Sequence, residues 1–150
     1  ATFYPGNLTE VRSVLSLVAS LRHLPGPKVM TARHVADATS LAGRQNLFRM
    51  ARGVLGGGGR LYLQVLVAPD PSGSRTGVRP VDVDQLVALA ETYGATLVLK
   101  REGSTDNVRL SAKPRPPARR TPDDADAVDA DKMSEVPPPP HLCRLVFQWN

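Results

Sequence analysis

No isoleucine occurs among the 150 residues, aromatic side chains make up only 5%, and Cys143 is the single cysteine. The missing isoleucine reads as coding bias in a GC-rich genome. It leaves a core to be built mainly from leucine, valine and alanine. Scarce aromatics leave few stacking platforms for single-stranded nucleic acid. One thiol cannot form an internal disulfide, complete a four-cysteine zinc site or hold an iron–sulfur cluster. It favours a reducing compartment, in which the sequon Asn7-Leu8-Thr9 would go unused. No run approaches the ~18–20 apolar residues of a membrane span, and no signal peptide is visible. The expected location is therefore cytoplasmic, with no membrane partner.

Motifs of chemistry are also sparse. No GxSxG elbow occurs. His23, His34 and His141 form no HxxxH-like pair and have no neighbouring cysteine to complete a metal set. Each is read as an exposed or hydrogen-bonded structural residue. These absences predict no catalytic, cofactor-binding or metal residues in this chain, and no small-molecule substrate.

What is present is charge and pattern. The formal net charge is +5, and residues 1–60 carry eight Arg or Lys against two acids, Glu10 and Asp37. Such a basic half could meet RNA, an acidic protein or an anionic membrane, or be an ordinary solvated face. Arg44, Arg49 and Arg52 fall on one predicted helix, and Arg49 and Arg52 share a face. They are the candidate partner-docking residues. Nucleic acid is disfavoured, because neither aromatic interleaving nor an RNA-module motif accompanies them.

Asn7 followed by Glu10 suggests a capping box, and Leu8, Val11, Val14, Leu15, Val18, Leu21 and Leu24 recur at helical spacing until Pro25-Gly26-Pro27. A rival reading makes Ser13–Ser20 a buried strand. Lys28–Thr39 has no clear pattern. Ser40 could cap a helix with Leu41, Leu47, Phe48, Ala51, Val54 and Leu55 inside, stopped by Gly56–Gly59. Those glycines lead from a helix into a strand. A phosphate-cradling loop runs the opposite way, so they read as a turn. Arg60–Ala68 is a nearly continuous apolar run, expected to be central and covered on both faces. A loop over 69–80, a helix opened by Asp82 or Asp84 and closed by Gly94, and a strand over Ala95–Arg101 follow. Then come a turn and a partner strand over Val108–Lys113. Residues 114–140, rich in proline and acids, read as a disordered insertion. His141–Trp149 returns to apolar alternation as a closing strand. The predicted organisation is one α/β domain, 1–113 plus 141–150.

Asn46–Ala68 resembles the late part of a class I, S-adenosylmethionine-dependent methyltransferase domain, in which a helix and glycine-rich turn enter a strand as "RVLxPGGRLxL". Arg52–Leu63 follows that pattern without the proline. The resemblance implies a partial, Rossmann-like sheet with flanking helices. It aligns Ser13–Leu24 with the preceding strand, Asp82–Tyr93 with the next helix, and Val108–Lys113 or Leu142–Trp149 with an antiparallel last strand. The family's cofactor half, an early strand with a GxGxG-like turn and an acidic ribose partner, is missing, so no cofactor residue carries over. Leu15–Val18 and Met50–Leu63 are also similar to the cofactor-free N-terminal domain of anamorsin-like iron–sulfur assembly factors. That resemblance implies a non-enzymatic docking domain whose partner is a diflavin reductase. The iron–sulfur cluster would then be held in a C-terminal region absent from this sequence. The alternatives are a fragment of a methyltransferase and a basic RNA- or ribosome-associated module.

Overall fold

The computed structural model describes residue 2 and residues 4–67, 81–103 and 141–150. These form three helices and four strands. In chain order they are α1 (Val11–Leu21), β1 (Val29–Arg33), α2 (Leu41–Leu55), β2 (Arg60–Val67), α3 (Val83–Thr92), β3 (Ala95–Gly103) and β4 (His141–Trp149). The chain is thus α/β, with a mixed four-stranded open sheet in the order β1-β2-β4-β3. β1 and β2 are parallel, and β4 runs antiparallel to both β2 and β3.

Each helix start has a local cause. Ser40 accepts a hydrogen bond from the Gly43 N–H, and Asp82 accepts from the Asp84 and Gln85 N–H groups, satisfying donors that the first turn leaves free. Gly94 ends α3 at φ 76°, a conformation that costs glycine little. The expected capping box at Asn7 is corrected. Asn7 turns the chain over Thr9, accepting from its N–H and hydroxyl, and α1 begins only at Val11.

Ser13–Ser20 is helical, so the strand alignment of Ser13–Leu24 is overturned. Val14, Val18 and Leu21 return to one side, as a period near 3.6 requires and a strand does not allow. The strand preceding α2 is β1, in the stretch that showed no clear pattern. The partner strand over 108–113, the loop over 69–80 and the insertion over 114–140 lie outside the described residues.

α2 and α3 cover one face of the sheet. Leu47, Phe48, Ala51 and Leu55 of α2 and Leu86 and Ala90 of α3 share a core with Leu61, Leu63, Val65, Cys143, Leu145 and Phe147. Phe48 meets Phe147 edge-on at 5.7 Å between centroids, a favoured aromatic geometry. β2 is central, as expected, but on the face away from α2 and α3 it is covered only toward its carboxyl end: Leu66 is buried there, whereas Tyr62 is 42% exposed. Among the described residues, no helix is long and apolar enough to cross a membrane.

Candidate functional site

β1 and β2 run parallel, so their carboxyl ends open on the same edge of the sheet, the edge where open α/β sheets bind ligands. At that edge β1 ends at Arg33 and the chain turns sharply through His34. Among the described residues His34 is the only non-glycine with positive φ, at 56°. Such a backbone costs on the order of 1–3 kcal/mol and persists only where surrounding contacts hold it.

Three groups do so. The His34 N–H donates to the Gln64 carbonyl at 2.9 Å. The imidazole Nδ1 lies 3.0 Å from Asp37 Oδ2, and Nε2 lies 3.3 Å from the Gln64 side-chain nitrogen. Asp37 is completely buried, and its Oδ2 also accepts from the Leu66 N–H of β2 at 2.8 Å. That network assigns Nδ1–H to the Asp37 bond and leaves the lone pair on Nε2, where the Gln64 amide donates to it. The imidazole is 31% exposed while its carboxylate partner is sealed in. Asp37 thus fixes the imidazole from beneath, and the Nε2 lone pair can take a substrate proton only where the Gln64 amide gives way.

The carboxylate is not fully satisfied. Among the described residues, the buried Asp37 Oδ1 has no hydrogen-bond partner. Burying a carboxylate costs several kcal/mol unless it is well paired, so packing alone is a poor reason for an acid at this position. The loop is braced from α2, where Arg44 Nε donates to the Ala36 carbonyl at 2.7 Å.

The three candidate docking arginines are thus not a set facing outward together. Arg44 braces the His34–Asp37 loop. Arg49 donates to the buried Asn46 side chain and lies 6.0 Å from the Tyr93 ring centroid. Arg52 is exposed near the end of α2. From sequence alone His34 reads only as a structural histidine and Asp37 only as one of two acids in the basic half. Their His-x-x-Asp spacing was the available signal, and it acquires meaning only once a strand is known to end just before it.

Among the described residues no three His, Cys, Asp or Glu gather as a metal site. Nor does any strand there enter a helix through a glycine-rich turn. β1 reaches α2 through residues 34–40 without glycine, while Gly56–Gly59 joins a helix to a strand. Cys143, in the core beneath the helices, is free and fully buried. Desolvation pushes its thiol pKa up, with Glu102 adding to the shift. A search of protein-family models and of curated proteins finds no match to this chain.

Proposed function

We propose that this chain is the acceptor-side half of a class I methyltransferase-like domain, in which His34, oriented by Asp37, takes the proton of an acceptor O–H or N–H. The observation that carries this reading is the strained His34 at the carboxyl edge of two parallel strands, hydrogen-bonded to a buried acid. A cofactor-free docking domain needs neither the strain nor the buried charge. The docking reading draws instead on Arg44, Arg49 and Arg52, of which the first two have partners inside the fold.

The element order supports the same reading. A helix, a glycine-rich turn and a strand (α2, Gly56–Gly59, β2), then a helix, a strand and an antiparallel last strand are what the resemblance implies. The donor-binding half would come from polypeptide outside this sequence. β1 offers it a place, because one edge of β1 pairs with β2 and the other has no strand among the described residues.

The test is methyl transfer from labelled S-adenosylmethionine by the intact gene product. Proton transfer by a positioned side chain contributes about 10²–10⁴-fold, so His34→Gln is expected to lower the rate at least a hundredfold while cofactor binding persists. An intact product that binds no S-adenosylmethionine would overturn the reading.

A further inference from the structure

We infer that the acceptor carries an anionic group, a carboxylate or a phosphate of a small molecule, seated by Arg33, Arg144 and Arg101 on the sheet face away from α2 and α3. This rests on the acceptor-side reading and names its substrate class. The strand register carries it. Arg33 of β1 pairs with Gln64 of β2, Gln64 with Arg144 of β4, and Arg144 with Arg101 of β3. Directly paired residues share a face, and this row lies on the face away from α2 and α3. One row across all four strands therefore reads Arg-Gln-Arg-Arg and spans about 15 Å at the usual strand spacing.

All three arginines are exposed, and none forms a salt bridge among the described residues. Like charges placed directly opposite, as Arg101 and Arg144 are, disfavour a sheet. A bound anion would relieve that repulsion, and the planar guanidinium fork suits carboxylate and phosphate.

The row also reaches the proton acceptor. Gln64, between Arg33 and Arg144, has its amide nitrogen 3.3 Å from His34 Nε2. The neighbouring row is Thr31, Tyr62, Val146 and Leu99. Tyr62 and Leu99 there are 42% and 40% exposed. They offer an apolar floor for the body of a ligand whose charged end lies on the arginines. A single-stranded nucleic acid platform calls for several stacking rings, and this row holds one aromatic, Tyr62.

The test is a magnetic-resonance titration of the isotope-labelled chain with sodium phosphate or sodium acetate at constant ionic strength. The His34 ring and the arginine Nε–H signals are followed. Saturable shifts at His34 and Arg144 are expected, with Arg144→Gln and Arg33→Gln each weakening binding about tenfold and Arg12→Gln on α1 leaving it unchanged. Tighter binding of phosphate assigns a phosphate-bearing acceptor, and tighter binding of acetate a carboxylate. The proposal is overturned if neither anion saturates at millimolar concentration, or if Arg12→Gln weakens binding as much as Arg144→Gln. It is also overturned if a short single-stranded oligonucleotide displaces both anions with the steep salt dependence of counterion release. A failed titration in an intact product that still methylates a neutral acceptor removes the anion site alone. Anion binding in an intact product without methyl transfer removes the acceptor-side reading alone.

Discussion

Asp37 is where residue-scale energetics and the proposed chemistry meet. Its Oδ2 holds both the His34 imidazole and the Leu66 N–H. Replacing it by alanine leaves the buried Leu66 donor unpaired and the strained loop unsupported. Asp37→Ala is expected to cost roughly 1–3 kcal/mol in urea unfolding, the usual penalty for stranding a buried polar group. Asp37→Asn, which can still accept from Leu66, is expected to cost less. Equal stability of Asp37→Ala and the parent would remove Asp37 as the support of His34.

Cys143 gives a second residue-scale outcome. Its thiol pKa is raised in the folded protein, first by desolvation. Above the unfolded-state thiol pKa, about 8.5, the folded chain binds more protons than the unfolded one. The contribution is therefore full below that pH and lost as pH rises through the folded-state value. Unfolding free energy measured from pH 7 to 10 is expected to fall less steeply for Cys143→Ala than for the parent. Parallel slopes would mean that the thiol titrates alike in both states. The packing place of Cys143 was legible from the apolar alternation around it, whereas the role of Asp37 was not. His34 reads from sequence as a structural histidine, because positive φ at a histidine leaves no trace in composition or periodicity.

At the scale of elements, legibility followed the number of buried side chains. α2 buries Leu47, Phe48, Ala51, Val54 and Leu55, and β4 buries Leu142, Cys143, Leu145, Val146, Phe147 and Trp149. Both announced themselves by apolar spacing. β1 fully buries only Ala32, with Met30 partly buried beside it, so five residues gave too short a period to detect, and the family alignment drew the missing strand onto α1. The closing strand was read within the observed bounds because its apolar positions serve both neighbours: Phe147 pairs with Leu61 of β2 and Leu97 of β3. Phe147→Ala should cost about 3–5 kcal/mol, as large buried aromatics do. Trp149→Phe should cost nearer 1 kcal/mol, since it mainly removes the indole N–H bond to the Tyr93 carbonyl. Thermal unfolding of the two variants checks the order, and a Trp149→Phe loss as large as that of Phe147→Ala would contradict this assignment of energies along β4.

For the molecule as a whole, the sheet with α2 and α3 and the helix α1 should differ in stability. α1 is an 11-residue helix whose N-cap, Glu10, makes no side-chain capping bond, with no acid in its first turn and no base in its last. Such a helix is marginal alone. It buries Val14 fully, leaves Val11 and Leu15 about half exposed, and meets the rest of the fold mainly through α2. Gly53 permits that contact: a Cβ there would come within 2.6 Å of the Val18 side chain. α1 should therefore open as a unit of its own, below the free energy of global unfolding. Hydrogen exchange is expected to show α1 amides exchanging faster than those of α2, β2 and β4. Gly53→Ala sharpens the test, because it removes about 1 kcal/mol of helix-propensity penalty from α2 while crowding Val18. Protection in α1 should fall as protection in α2 and the sheet holds or rises. If α1 and β4 amides instead lose protection together, the helix belongs to the same cooperative unit as the sheet, and the division drawn between them fails.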